Sequence, residues 1–127
     1  MNNTKPYANL ALMTDLDGTL LMPDKTLSPA DAAAIADFRA KGGHFGIATG
    51  RGIQATQPLI DMLQPDLPAV LYNGGVLYDP VQKKNVFAEY LPEGITPLLA
   101  DLMARFPEVG AELLDENKDK LNNTDGE

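Results

Sequence analysis

A short apolar run, Leu10-Ala11-Leu12-Met13, leads through Thr14 into two aspartates two residues apart, and Gly18 and Thr19 follow at once. The run is shorter than a helix needs and is bounded by turn residues, which predicts a buried strand ending at Asp15. Side chains two apart on an extended backbone point the same way, so Asp15 and Asp17 project together from the strand's end. Two carboxylates that close are costly to ionise together. A divalent cation removes that cost, and Mg²⁺ takes carboxylate and carbonyl oxygens together with water. Gly18 permits a sharp turn or a close approach to a ligand, and Thr19 adds a hydroxyl. The same residue types make ordinary surface turns. Four specified residues in five nevertheless arise by chance in about one chain in a thousand of this length, at roughly 5% usage each. The stretch reads as a site for a metal and a phosphate.

The following residues predict a second group beside the first. Ser28-Pro29-Ala30-Asp31 opens a helix, with Ser28 as N-cap, Pro29 at the first helical position and Asp31 at the positive end of the dipole. The helix runs over 29–41 with Ile35 and Phe38 on one face, and Gly42-Gly43 ends it. His44-Phe45-Gly46-Ile47-Ala48-Thr49 is the next strand, so the unit is βαβ, with parallel strands and a right-handed crossover. Thr49-Gly50-Arg51 then sits at the C-terminal end of this strand, where open parallel sheets bind ligands. A strand that leads through Thr-Gly to a helix N-terminus offers N–H groups and a hydroxyl to an anion. Arg51 either contacts a phosphate or pairs with an acidic residue.

Beyond this pair, a helix is expected over 51–64 with Ile53, Leu59, Ile60 and Leu63 facing inward and Pro58 kinking or dividing it. A third strand, 69–72, delivers Asn73-Gly74-Gly75 to the same rim, as a simple turn or as part of the site. Residues 76–78 and 85–90 form a hairpin whose tip carries Lys83-Lys84 in solvent. Residues 20–27 make a tight excursion beside the site, and residues 93–106 an amphipathic helix with Ile95, Leu98, Leu99, Leu102 and Phe106 in one stripe. From Asp115 onward the composition predicts a solvated polar tail. The single histidine, His44, reads as structural or exposed rather than catalytic.

Composition narrows the function classes. At 127 residues, 44% hydrophobic and 22% charged, the chain is an ordinary globular domain with a real core. A formal net charge of −8 disfavours a nucleic-acid or anionic-membrane partner, since both require clustered Lys and Arg. The absence of cysteine excludes disulfides, thiolate metal sites and cysteine nucleophiles. No apolar run approaches the ~20 residues of a membrane span, and residues 1–9 lack the pattern of a signal peptide. A cytoplasmic protein is expected.

Asp15-Leu16-Asp17-Gly18-Thr19-Leu20 resembles the first motif of the haloacid dehalogenase-like (HAD) phosphatases. Ala48-Thr49-Gly50-Arg51 and Asn73-Gly74 are similar to the forms seen in the family's Cof-type subfamily. The resemblance implies an α/β fold, a Rossmann-like parallel sheet of HAD type with the beginning of an inserted α/β cap. It divides the chain into 1–78 as the N-terminal part of the core, 79–114 as the start of the cap, and 115–127 as the tail. It implies that Asp15 is the nucleophile and forms an aspartyl-phosphate, and that Asp17 is the general acid and base. The Asp15 carboxylate and the Asp17 carbonyl would hold Mg²⁺. Thr49 and the backbone amides around Leu16 and Gly50 would hold the phosphoryl oxygens, with Asn73 lining the site and the 20–27 excursion shielding it. The implied activity is hydrolysis of small, sugar-type metabolite phosphates. A catalytically incomplete domain and a phosphomutase are the alternatives.

Two later family motifs have no counterpart here: a Lys or Arg that steadies the phosphate, and a Gly-Asp pair with a further Asp that completes the metal site. Family members are about twice this length, in keeping with a core plus an inserted cap. In the family's sheet a strand supplied after the cap flanks the first strand. Without it, the strand carrying Asp15 is an edge whose unpaired N–H and C=O groups invite pairing. The expectation is either a piece of a longer protein or a homo-oligomer that covers this edge.

Overall fold

A computed structural model describes residues 5–115 and 118–122. The apolar run before Asp15 forms β1 (Ala11–Thr14), and the segment capped by Ser28 forms α1 (Pro29–Ala40). The Ser28 hydroxyl accepts from the Asp31 N–H at 3.1 Å, as the Ser-Pro-Ala-Asp pattern predicts. α1 leads into β2 (His44–Ile47), which pairs in parallel with β1 in the register Ala11↔His44 to Thr14↔Ile47. The βαβ unit therefore forms as expected.

α2 (Ile53–Leu63) follows, and Pro58 lies inside it without dividing it. Thr56, Leu59, Ile60 and Leu63 are its buried residues, while Ile53 packs against the core from a partly buried position. β3 (Ala69–Leu71) lies beside β2: Ala48 and Val70 form a parallel bridge, and the Thr49 N–H donates to the Val70 carbonyl at 2.8 Å. β4 (Val76–Asp79) and β5 (Lys84–Ala88) continue antiparallel from β3, so the expected hairpin is present.

Phe45, Ile47, Ala69, Leu71 and Leu16 are fully buried, and Ile35, Leu59, Ile60 and Leu63 pack around them. The core thus sits under β2 and β3, the strands with neighbours on both sides, as an apolar run in an interior strand requires. β1 pairs with β2 alone among the described residues, and Leu12 and Met13 of β1 are exposed together with the adjacent Leu10. The strand that carries Asp15 is an edge here.

Three expectations differ from what is observed. β1, expected as a buried strand, is exposed, because among the described residues it has a neighbour on one side alone. α3 (Ile95–Arg105) forms, yet none of its residues is buried, and Leu98, Leu102 and the following Phe106 are 52%, 44% and 50% exposed. Periodicity predicts a helix with an apolar stripe. It says nothing about what covers the stripe, whose Ile95 and Leu99 are partly buried while the rest stays exposed. In the segment expected as a polar tail, the backbone of β7 (Lys118–Asn122) pairs antiparallel with β6 (Glu112–Asp115). Backbone pairing needs an adjacent strand more than an apolar composition, which is why composition misread it. Residues 116–117 and 123–127 of that tail lie outside the described residues. Among the described residues no helix is long and apolar enough to cross a membrane.

His44 stands at the start of β2, at the opposite end of the strand from Thr49, and its Nδ1 lies 2.7 Å from Asp66 Oδ2. Asp66 Oδ1 accepts from the Phe45 N–H at 2.8 Å, with the Arg39 guanidinium 3.8 Å away. Burial alone would raise the Asp66 carboxyl, but His44, the Phe45 N–H and Arg39 outweigh it and hold the group below the ordinary carboxylate value. The ionised form is thus favoured by folding. Its contribution is complete above about pH 4 and is lost as the pH falls below that value. Asp66→Asn is expected to lower stability by about 1–2 kcal/mol at pH 7. It should also flatten the acid limb of the stability profile, measured by urea unfolding from pH 7 to pH 3.

Candidate active site

Asp15 leaves the C-terminal end of β1 in extended conformation, and its carboxylate accepts from the Leu16 N–H at 2.8 Å. Leu16, between the two aspartates, is fully buried and pins the turn to the core. Asp15 is exposed on one side of this anchor, and Asp17 is half-buried on the other. Asp17 remains extended, and the chain then reverses at Gly18, whose φ of 81° is the left-handed conformation that glycine adopts without strain. The Leu21 N–H closes the turn onto the Leu16 carbonyl at 2.9 Å. Residues 21–27 form the expected excursion, a small hairpin with Leu21 bridged to Leu27.

The neighbouring strand end supplies Thr49, which is buried; its Oγ1 accepts from the Arg51 N–H at 3.1 Å. The Thr49 carbonyl accepts from the Asn73 N–H at 3.2 Å, and the Arg51 carbonyl from the Tyr72 N–H at 3.1 Å. These bonds lace the loop after β2 to the loop after β3. The second loop is strained: Tyr72, Asn73 and Gly74 have φ of 52°, 55° and 101°, and left-handed backbone at non-glycine residues persists only where the surroundings enforce it. Gly50 faces the Asn73 side chain so closely that a Cβ there would lie 2.8 Å from its Oδ1. A larger residue at position 50 would displace the Asn73 amide from this place.

Arg51 crosses to the first strand end. Its Nε donates to Asp17 Oδ2 at 2.9 Å and its Nη2 to Asp17 Oδ1 at 2.8 Å, a bidentate pair. A third contact runs from Arg51 Nη1 to the Ala55 carbonyl at 3.3 Å. From the hairpin, Lys25 Nζ donates to the same Asp17 Oδ1 at 2.9 Å. The Arg51 guanidinium, with the Lys25 ammonium in support, holds the Asp17 carboxyl far below the usual carboxylate range, and Asp17 in turn raises Arg51. Of the two roles open to Arg51, pairing with an acidic residue is the one present.

Asp15, Leu16, Asp17, Thr49, Gly50, Arg51 and Asn73 therefore lie on one rim, at the ends of β1, β2 and β3. Lys25 is the member that the sequence reading passes over; a lone cation at a Pro-Asp-Lys turn carries no signal until its reach to Asp17 is known. Among the described residues no group of three or more His, Asp or Glu side chains gathers. The Asp17 carboxylate is paired with two cationic side chains, which relieve the repulsion that the Asp-x-Asp spacing assigns to a metal. The exposed Asp15 carboxylate and the Asp17 carbonyl remain as hard oxygen donors, a chemistry that suits Mg²⁺ with water completing its shell.

A family model described as haloacid dehalogenase-like hydrolase matches residues 12–125. Over 78 residues the chain is 44% identical to the pyridoxal phosphate phosphatase YbhA of Escherichia coli, covering 61% of this chain and 29% of that protein. Over 118 residues it is 30% identical to the 5-amino-6-(5-phospho-D-ribitylamino)uracil phosphatase YitU of Bacillus subtilis, covering 89% of this chain and 42% of that one. A haloacid dehalogenase-like hydrolase from Bacteroides thetaiotaomicron has the same fold, with a TM-score of 0.77 at 22% identity over 93% of this chain and 45% of its own. The chain thus spans less than half the length of each of these relatives.

Thr49→Val keeps the shape of the side chain but removes the acceptor of the Arg51 N–H. It is expected to destabilise the domain by about 1 kcal/mol in urea unfolding.

Proposed function

The chain belongs to the haloacid dehalogenase-like hydrolases, and from that premise we propose that it carries the nucleophile half of a phosphomonoester hydrolase site. The observation that carries the reading is the convergence of Asp15, Asp17 and Thr49 on one rim of a parallel sheet, with a cation already paired to the second aspartate. In this assignment residues 1–78 are core and residues 79–114 begin the cap.

Asp15 is the exposed carboxylate at the strand end, and an oxygen of it attacks phosphorus in line. The ester P–O bond breaks, and the leaving oxygen takes a proton from Asp17. Water then attacks the aspartyl-phosphate and gives a proton back to Asp17, which frees phosphate and restores Asp15. The Thr49 hydroxyl and the amides around Leu16 and Gly50 hold the phosphoryl oxygens, and the Asn73 amide lines the same space. Mg²⁺, held by the Asp15 carboxylate and the Asp17 carbonyl, would neutralise charge on the transferring group.

The electrostatics divide the two tasks of Asp17. Paired with Arg51 and Lys25 it is an ionised carboxylate, the form that can take a proton from water, and the same pairing weakens it as a base. To act first as an acid it must carry a proton, and an arriving phosphoryl dianion favours this by competing for Arg51 as a bidentate partner of the same kind, while the Lys25 contact stays to orient the carboxylate. The substrate class is supported by the names of two relatives, phosphatases of pyridoxal phosphate and of 5-amino-6-(5-phospho-D-ribitylamino)uracil. Sugar-type phosphates fit the same description.

With Mg²⁺ present, the purified chain is expected to release phosphate from an aryl phosphate, and both Asp15→Asn and chelation by EDTA should reduce the rate to background. Wild-type release no faster than that of Asp15→Asn would overturn the reading and leave a phosphate-binding domain without turnover.

A further inference from the structure

The hairpin at 21–27 is hydrogen-bonded through its tip. Its base is anchored by buried Leu21 and partly buried Leu27. The Met22 N–H donates to the Thr26 carbonyl at 2.8 Å, and the Lys25 N–H to the Met22 carbonyl at 2.7 Å. The Asp24 carboxylate accepts from both the N–H and the hydroxyl of Thr26, at 3.0 and 2.6 Å. Lys25 itself has a φ of 69°, a left-handed backbone at a residue with a Cβ, which is disfavoured unless its surroundings impose it. Lys83, at the tip of the other hairpin, shares this conformation with a φ of 59°, so what sets Lys25 apart is its fixed partner. Here the turn presents the ammonium to Asp17, whose carboxylate already has a bidentate arginine.

Two elements therefore grip one carboxylate. Arg51, just before α2, takes both oxygens, whereas Lys25, at the hairpin tip, takes Oδ1 alone. An arginine fork fixes a carboxylate within the plane of the fork, and a point contact from a second element restrains its remaining rotation. We propose that Lys25 is a positioning residue that ties the hairpin tip to Asp17 and so restrains the orientation of that carboxylate. The proposal rests on the reading of Asp17 as acid and base.

The test is hydrogen–deuterium exchange at the Met22 and Lys25 amides in wild type, Lys25→Met, Asp17→Ala, the double variant and Lys25→Arg. An exposed ion pair is worth enough to hold these amides by a factor of about two to five. Both single variants should exchange faster by that factor, the double variant no faster than either, and Lys25→Arg close to wild type. Unchanged exchange in either single variant, or effects that multiply in the double, would overturn the tether. Exchange is read on the resting protein, so a failure of phosphate release would count against the Asp15 chemistry and not against this contact. On the aryl phosphate, Lys25→Met should lower kcat severalfold with KM within about twofold, the pattern of a lost transition-state orientation. A rise in KM at unchanged kcat would place Lys25 on the substrate and overturn the positioning role.

Discussion

The bidentate pair between Arg51 and Asp17 joins the two strand ends on which the candidate site depends. Asp17 belongs to the turn after β1, and Arg51 to the turn into α2. The parallel pairing of β1 and β2 puts these turns side by side, but only loosely, because each is a loop beyond the last paired residues, Thr14 and Ile47. The ion pair sets the finer geometry. With the Arg51 and Asp17 side chains 23% and 39% exposed, it contributes a modest free energy. Its importance is directional: a planar fork on a planar carboxylate defines an orientation that a single ammonium cannot.

Around that contact the construction is layered. Leu16 pins the first turn from below, Thr49 holds the second through the Arg51 N–H, and the bonds to Tyr72 and Asn73 fasten the third. Left-handed backbone at residues with a Cβ occurs on the rim at Lys25, Tyr72 and Asn73, and away from it at the end of α2, Gln64, and at the β4–β5 tip, Lys83. Two apolar surfaces lie away from the rim, the free side of β1 and the stripe of α3. A second copy of the chain pairing along β1 is one covering that this geometry permits.

Much of this was legible in the residues alone. The Ser28 cap, the apolar period of α2 and the short run before Asp15 specify their elements locally, so the βαβ unit and the positions of Asp15 and Thr49 follow from local rules. What was not legible depended on distance in space. The two-residue spacing of Asp15 and Asp17 suggested that a metal relieves their repulsion, whereas Arg51 and Lys25 supply positive charge to Asp17, from 34 and 8 residues away. Exposure of the α3 stripe was illegible because an amphipathic pattern states which face is apolar and not whether anything packs on it. β7 was missed because pairing through the backbone leaves little trace in a polar sequence.

The central claim is that Asp15 is the nucleophile, and it is tested most directly by trapping the covalent intermediate. The chain would be incubated with an aryl phosphate and Mg²⁺, reduced with borohydride, and its peptides sequenced by mass spectrometry. An acyl phosphate is reduced to an alcohol, so the account predicts homoserine at position 15 and nowhere else. Phosphate release with Asp15 intact, or reduction at Asp17 instead, would contradict it.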